Sequence, residues 1–217
     1  MTSQIVLFGV GSPITVEFAE TCRRLGWSIA ASVKNRDGEV YADDDNRVFD
    51  ASAVDSSLLA YPCLCPLFTP ANRAAAVREA KALGFRFTLA LIDPSVITSQ
   101  TTGIGKASYV NAGCIIGAKT LISDHVLINR GASIGHHARI GACASIGPGA
   151  IVSGSVSIET GAMVGAGAIL LPKVKVGAFA IVGAGSVVTR DVPARAMVVG
   201  NPAQAIEFSL PEFEIPA

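Results

Sequence analysis

Three histidines are the side chains of this chain best suited to proton transfer near neutral pH: His125, His136 and His137. An imidazole with an unperturbed pKa of about 6.5 can take up a proton from a reacting amine or hydroxyl. A neutral ring nitrogen is also a common zinc ligand. The histidines are therefore candidates for a general base or for a metal site.

A glycine-containing turn near the N-terminus is the second candidate for chemistry. The apolar run 5–10 ends in Gly9-Val10-Gly11-Ser12, and helix-forming residues follow over 13–25. Free backbone N–H groups at such a turn can bind phosphate. Gly9, Gly11 and Ser12 are therefore predicted to bind the nucleotide part of a substrate. Because the third glycine of a dinucleotide fingerprint is absent, a turn without a ligand is the alternative.

The cysteines and one acidic run favour less specific roles. The five cysteines are odd in number and have apolar neighbours, which predicts reduced, buried thiols: Cys22, Cys63, Cys65, Cys114 and Cys143. Asp43-Asp44-Asp45 lies in a predicted loop and is interpreted as a solvated surface and not as a metal site.

The elements that position the histidines follow from a six-residue repeat. Every sixth residue from Ile104 to Val188 is a branched aliphatic, which gives fifteen consecutive matches. This period fits short strands joined by tight turns, with three hexads in each eighteen-residue coil. We predict a parallel β-helix over 92–193, in which Ile92 and Thr98 belong to a less regular first coil. Its aliphatic interior places function on the outside, and all three histidines occupy turn positions.

A β-helix with three hexads in each coil is a three-sided prism, and without inserted loops it has no lid to enclose a site. No break in phase interrupts the repeat between Ile104 and Val188. Neighbouring copies of the chain are therefore expected to complete the site in a C3 homotrimer.

The segment 1–91 has the pattern of a small α/β unit. Apolar runs at 5–10, 27–33, 62–68 and 87–92 alternate with two helical segments, which predicts a Rossmann-like parallel sheet. Ser12 is predicted as the N-cap of the first helix, and Gly26 as its C-cap. Thr69-Pro70 and Leu83-Gly84 mark the ends of the second helix. Residues 194–217 form a C-terminal extension.

Bulk composition excludes two classes of partner. The 217 residues carry 17 Lys+Arg and 17 Asp+Glu, so no basic surface for nucleic acid is expected. The mean hydropathy is +0.49, but Gly or polar residues interrupt every apolar run before the ~18 residues of a membrane span. With no basic or cleavable leader at its start, the chain is expected in the cytoplasm.

The hexad array resembles that of the left-handed β-helix acyltransferases. Three further segments narrow the resemblance: Ile92-Asp93-Pro94-Ser95, the run from Asn129 to His136, and Gly200-Asn201-Pro202-Ala203. Together with the α/β unit, they resemble the bacterial sialic acid O-acetyltransferases and the nucleotide 4-amino-sugar N-acetyltransferases. The left-handed winding is implied by this resemblance.

The resemblance implies acetyl transfer from acetyl-CoA to an amino or hydroxyl group of a nucleotide-linked sugar for bacterial surface glycans. It implies direct attack with His136 as general base, and Asn129 beside it holding the acceptor or a water. Gly154, one coil above His136, is implied as the oxyanion donor. Ala166, Gly167 and Ala184 are implied to line the pantetheine arm, with Lys173, Lys175 or Arg190 near the CoA phosphates or simply solvated. No metal is expected.

Three positions depart from the pattern of these relatives. His137 replaces a frequent Asp or Glu, and it is a candidate substrate-binding residue. Ser145 stands where a second His is often found, and Pro13 replaces the His of the N-terminal loop. Two other functions stay open: a non-catalytic β-helix scaffold, and a zinc enzyme of the carbonic anhydrase type. The clustering of the three histidines within thirteen residues argues against the zinc enzyme.

Overall fold

The computed structural model describes residues 3–42, 47–208 and 214–215; the Asp43-Asp44-Asp45 run lies outside them. The N-terminal part is a parallel sheet of four strands in the order β3-β2-β1-β4. These strands are β1 (Gln4–Phe8), β2 (Ser28–Lys34), β3 (Val48–Asp50) and β4 (Cys63–Leu64), with helices α1 (Thr15–Leu25) and α2 (Pro70–Ala82). Two short 3-10 helices, Ala51–Ala53 and Ser56–Ala60, precede β4.

The ends of the helices confirm three of the four predicted boundaries. Gly26 closes α1 in the left-handed conformation (φ 69°), Pro70 opens α2, and Gly84 follows it at φ 97°. The prediction of Ser12 as N-cap was wrong. The N–H and hydroxyl of Thr15 both donate to the Ser12 carbonyl, so that residues 12–14 form a tight turn and the helix begins at Thr15.

The fourth strand of this sheet was also misplaced. It is β3, a short and partly exposed edge strand that lacks an apolar run. The predicted strand at 87–92 contributes only β5 (Leu91–Ile92), which pairs with Tyr109–Val110 of the repeat. Beside β4, Pro62 and Arg86 form an isolated parallel bridge.

The repeat winds into a parallel prism with three faces, as the hexads predict. Its strands pair eighteen residues apart, for example Leu121 with Arg139 and Ile122 with Ile140. The first face contains β5, β8 (Tyr109–Val110), β11 (Leu127–Ile128), β14 (Ser145–Ile146), β17 (Met163–Val164), β20 (Ile181–Val182) and β22 (Met197–Val199). The second contains β6 (Ile97–Thr98), β9 (Ile115–Ile116), β12 (Ser133–Ile134), β15 (Ile151–Val152), β18 (Ile169–Leu170) and β21 (Val187–Val188). The third contains β7 (Gly103–Ile104), β10 (Leu121–Ile122), β13 (Arg139–Ile140), β16 (Ser157–Ile158) and β19 (Lys175–Val176).

The interior of the prism is a continuous aliphatic core. Residues of the predicted column, such as Ile128, Ile134 and Ile140, are almost fully buried, and alanines such as Ala132 and Ala138 fill the corners between them. No single coil can bury these side chains alone, so the coils stabilise one another by stacking. Functional side chains are left to the corners and outer faces.

Two corners of the prism flank the second face and are called the Asn129 corner and the His136 corner, after one candidate site residue in each. The Asn129 corner joins the first and second faces and comprises residues 111–114, 129–132, 147–150, 165–168 and 183–186. The His136 corner joins the second and third faces and comprises residues 117–120, 135–138, 153–156 and 171–174. The second face lies between the two corners.

The N-terminal part covers the first coils of the first face. Phe18 of α1 stacks on Tyr109 with ring centroids 3.8 Å apart, and the two side chains share a core with Leu91 and Leu127. Arg73 of α2 is 2% exposed and donates hydrogen bonds to the carbonyls of Cys143 and Ala144 of the prism. A buried guanidinium therefore joins the two parts.

The chain end pairs with the last strand of the first face. Strand β23 (Gln204–Ile206) runs antiparallel to β22 and extends this sheet at its C-terminal edge. Neither helix within the described ranges has the length and apolar character needed to cross a membrane.

Candidate active site

The His136 corner presents two adjacent imidazoles. Strand β12 ends at Ile134, and the turn that follows leaves His136 and His137 exposed. Their rings meet edge to face, with centroids 5.1 Å apart, and their Nδ1 atoms are 3.0 Å apart. Since Nδ1 of His136 is engaged, Nε2 is the ring atom that can exchange a proton with a substrate.

Gly154 lies directly above His136, as the eighteen-residue coil predicts. A Cβ atom at Gly154 would lie 2.7 Å from Cε1 and 2.8 Å from Nε2 of the His136 ring. Most other glycines with so little space contact the backbone of the next coil, as Gly135 and Gly165 do. At Gly154 the nearest obstacle is the imidazole, so the missing side chain makes room for the candidate base.

The backbone N–H of Gly154 is the second candidate group at this corner. Its N–H makes no hydrogen bond to any residue within the described ranges, whereas its carbonyl accepts from the Lys173 N–H (3.1 Å). An unpaired backbone donor beside a general base is suited to stabilise an oxyanion.

Asn129 lies on the other corner of the same coil, separated from His136 by β12. Its side-chain oxygen accepts hydrogen bonds from Nδ2 of Asn111 (3.0 Å) and from the Arg130 N–H (2.8 Å). Glu17 of α1 accepts from Nδ2 of Asn111 (3.4 Å) and pairs with Arg130 (3.1 Å). No pattern in the sequence predicts this contact between α1 and the corner. Within one chain, Asn129 and His136 are not brought together.

The predicted pantetheine-binding residues share the Asn129 corner. Ala166 and Ala184 occupy equivalent turn positions in successive coils, and Gly167 follows Ala166 at φ 64°. Within the described part of the chain, the N–H groups of Ala166 and Ala184 have no hydrogen-bond acceptor. Small side chains and free amides make this corner accessible to an extended ligand with amide groups.

His125 is not on the outside of the protein, and that expectation was wrong. Its corner, between the third and first faces, is covered by the N-terminal part, which leaves His125 6% exposed with its ring 4.9 Å from that of Phe87. Burial and the nearby Lys81 lower its pKa to about 4. His125 is therefore neutral at physiological pH and belongs to the domain junction.

A cavity of about 370 Å³ lies at the carboxyl ends of β1 and β2. Gly9 and Gly11 line it together with Lys34, Asn35 and Arg36. Gly9 has φ 84°, and a Cβ there would lie 3.0 Å from Leu67. Ser12 is not among the residues that line the cavity.

Within residues 3–42, 47–208 and 214–215, no three His, Cys, Asp or Glu side chains converge as a metal site requires. The five cysteines are buried free thiols, as predicted. Burial raises the pKa of the Cys22 thiol to about 12 and that of Cys114 to about 11.

Solved structures of known proteins share this architecture along nearly the whole chain. PerB from Caulobacter crescentus, in complex with CoA and GDP-perosamine, has a TM-score of 0.83 and 29% identity over 95% of this chain and 98% of its own. The acetyltransferase domain of PglB from Neisseria gonorrhoeae FA1090, in complex with acetyl coenzyme A, has a TM-score of 0.82 and 26% identity over 95% of this chain and 100% of its own. WeeI from Acinetobacter baumannii AYE, at 21% identity and a TM-score of 0.77 over 94% of this chain and 100% of its own, shares the fold.

No protein-family model and no curated protein matches the sequence. The structural likenesses agree with the resemblance drawn from the hexads and from the segment between Asn129 and His136. The chain is an acyltransferase that resembles the nucleotide-sugar acyltransferases of the hexapeptide-repeat family.

Proposed function

We propose that this protein transfers an acetyl group from acetyl-CoA to an amino or hydroxyl group of a nucleotide-linked sugar used for bacterial surface glycans. The observation that carries the proposal is the placement of an exposed imidazole, His136, in the space left by the missing side chain of Gly154, whose N–H makes no hydrogen bond within the described ranges. Base and oxyanion donor are the two groups that direct acyl transfer requires.

The reaction proceeds in a ternary complex without a covalent intermediate. His136 Nε2 removes the proton of the acceptor as its nitrogen or oxygen attacks the thioester carbonyl. The Gly154 N–H stabilises the tetrahedral oxyanion, and the proton is then passed to the departing sulfur. No exposed cysteine competes as a nucleophile within the described ranges, because all five thiols are buried.

Acetyl-CoA is the donor, and its pantetheine arm lies along Ala166, Gly167 and Ala184. The free N–H groups of the two alanines support this assignment, since they can pair with the carbonyls of the arm. CoA and acetyl-CoA are the ligands of PerB and of the PglB domain.

The N-terminal part is a Rossmann-like domain that holds the nucleotide of the acceptor. The cavity beside Gly9 and Gly11 supports this role, because it combines a glycine turn with a position at the carboxyl ends of parallel strands, where such sheets bind ligands. Its polar lining includes the cations Lys34 and Arg36 and the carboxylates of Asp37 and Glu39. Ser12 is assigned to the same turn. GDP-perosamine, the sugar nucleotide bound to PerB, is an acceptor of this class.

The active unit is a C3 homotrimer of left-handed prisms whose second faces surround the threefold axis. Ile97, Ile115 and Ile151 lie in one column on the outside of this face, with Ser133 between the last two, and are 66%, 50% and 46% exposed in the single chain. A folded protein rarely leaves such a column uncovered, and the N-terminal part already covers the first coils of the first face.

This arrangement explains why the assigned residues occupy two corners. The Asn129 and His136 corners flank the second face, so rotation about the axis brings the Asn129 corner of one copy to the His136 corner of the next. Asn129, Ala166 and Ala184 then approach His136 and Gly154 of a neighbouring copy. The seam between copies is the active site.

The proposed acetyl transfer is tested by measuring the release of free CoA from acetyl-CoA. The acceptors offered are nucleotide amino sugars and nucleotide deoxy sugars. We expect acceptor-dependent CoA release by the wild type, and a ~10²–10⁴-fold lower rate for His136→Ala with unchanged affinity for CoA. Arg86→Ala, an exposed substitution in the N-terminal part, is the control. Full activity of His136→Ala, or equal inactivity of both proteins on every acceptor together with binding of a protein partner, contradicts the proposal.

A further inference from the structure

The side chain of His137 has a hydrogen-bond partner, although the residue lies at the surface. Its backbone has φ 59°, and its N–H donates to the Ala118 carbonyl of the coil below (2.9 Å). The equivalent turn positions are occupied by Lys119 and Ser155 in the same conformation, at φ 59° and 60°. Because the turn accepts such different side chains, the backbone does not require an imidazole at this position.

The contact between the two histidine rings requires one proton between them. At an Nδ1···Nδ1 distance of 3.0 Å, one nitrogen donates and the other accepts. If His137 donates, the neutral His136 ring carries its own proton on Nε2 and has no free electron pair for a substrate. If His136 donates, its Nε2 is unprotonated and can act as a base.

We propose that His137 is a positioning residue whose Nδ1 accepts the His136 Nδ1–H and thereby holds His136 in the tautomer with a free Nε2. The inference rests on the proposed function, since it assigns the partner of the proposed base. It changes the role of His137 from substrate binding to orientation of the base. A rigid imidazole beside Gly154 is the consequence.

The same hydrogen bond supports the charge that develops during the reaction. As the bond between acceptor and carbonyl carbon forms, the acceptor proton moves to His136 Nε2, and the ring becomes a cation. The Nδ1–H of this cation then donates a stronger hydrogen bond to neutral His137. When the C–S bond breaks, the proton on Nε2 moves to the thiolate, which gives CoA and restores the neutral pair.

Two substitutions separate this role from a contact with substrate. In His137→Asn the side-chain oxygen is separated from the backbone by the same number of covalent bonds as Nδ1 of histidine, so it can accept the hydrogen bond. Asn also tolerates positive φ. In His137→Leu a methyl group takes that place and no acceptor remains. We expect kcat of His137→Leu to fall by roughly tenfold or more, though by less than for removal of the base, with KM values for both substrates nearly unchanged. His137→Asn is expected to retain kcat within a few fold.

The tautomer itself is measured by NMR of protein labelled with ¹⁵N in histidine, with signals assigned by the individual His variants. We expect His136 Nε2 to be unprotonated in the wild type and in His137→Asn, and both tautomers to be populated in His137→Leu. A wild-type kcat for His137→Leu, or a rise only in its KM for the acceptor, overturns the positioning role. Full activity of His136→Ala instead overturns the proposed function, so the two failures are distinguishable.

Discussion

The imidazole of His136 stands in the space left by the missing side chain of Gly154. A Cβ on Gly154 would lie 2.7 Å from Cε1 of the ring, and no other residue is among its three nearest contacts. The two residues are eighteen positions apart and therefore stack in successive coils. Ala118, one coil below His136 in the same column, carries a Cβ at the equivalent position, so the turn itself does not require glycine.

Gly154→Ala is expected to reduce kcat without loss of stability. The added methyl group displaces the exposed imidazole and leaves the backbone in place, because the φ of Gly154 is not in the left-handed region. Steady-state kinetics with thermal unfolding as a second measurement checks this result. In a His136→Ala background the methyl group meets no ring, and we expect it to have no further effect. An equal loss in both backgrounds contradicts the displacement, and Ala118→Gly is the control.

The buried His125 makes folding stability depend on pH. Its pKa is lowered to about 4, against about 6.5 for an unperturbed imidazole, so the unfolded chain binds more protons between these values. The stabilisation is complete above pH 6.5 and is lost as the pH falls to about 4, by up to ~3 kcal/mol. Urea unfolding across this range is expected to show a shallower pH slope for His125→Asn than for the wild type. A pH slope of His125→Asn equal to that of the wild type contradicts the lowered pKa of His125. His136→Asn, which replaces an exposed histidine, is the control.

Arg73 stabilises the junction between the two parts of the chain. It donates to the carbonyls of Leu67, Phe68, His125, Cys143 and Ala144 and to the Ser145 hydroxyl. Burial lowers its pKa only to about 10, so the guanidinium stays charged at neutral pH.

Arg73→Met leaves several buried carbonyls without a donor, each of which costs ~1–3 kcal/mol. We therefore expect the free energy of unfolding to fall by about 3 kcal/mol or more, measured by urea titration. Arg139→Met on the exposed third face is the control and is expected to change it by less than ~0.5 kcal/mol. Equal stability of the two variants contradicts the role of Arg73.

The exposed column of the second face predicts a specific assembly defect. Ile151→Glu places a charge at the centre of the proposed threefold interface, where its desolvation is unfavourable. Sedimentation is expected to show a trimer for the wild type and smaller species for Ile151→Glu, which is also expected to lose activity. Ser157→Glu, at the neighbouring position on the third face, should remain trimeric. A trimer that tolerates Ile151→Glu places the interface elsewhere.

The repeat and the stacked pair were predictable because one period governs both. Branched aliphatics at every sixth position from Ile104 to Val188 define the coil, and the coil places Gly154 above His136. Local chemistry also identified Gly26 and Pro70 as helix boundaries. These features depend on residues close in sequence or on one constant repeat.

Features that depend on how the two parts dock were not predictable from local patterns. The period places His125 at a turn, but only the packing of the N-terminal part on that corner buries it. Nothing in the local sequence distinguishes Arg73 from other helix residues, although its guanidinium donates to a prism carbonyl about seventy positions later in the chain. Two further features have local causes. The N–H and hydroxyl of Thr15 donate to the Ser12 carbonyl, so α1 begins at Thr15. Strand β3 has no apolar run and is recognised only by its pairing with β2.

Complementation between two inactive variants tests the shared active site most directly. His136→Ala removes the base from one corner, and Ala166→Trp blocks the proposed pantetheine path on the other. In trimers reassembled from an equal mixture, random pairing leaves about one quarter of the seams with both corners intact. We predict recovery of about a quarter of the wild-type rate of CoA release upon mixing. No recovery from well-folded mixed trimers, or full activity of His136→Ala alone, would contradict a seam that joins His136 of one copy to the Asn129 corner of the next.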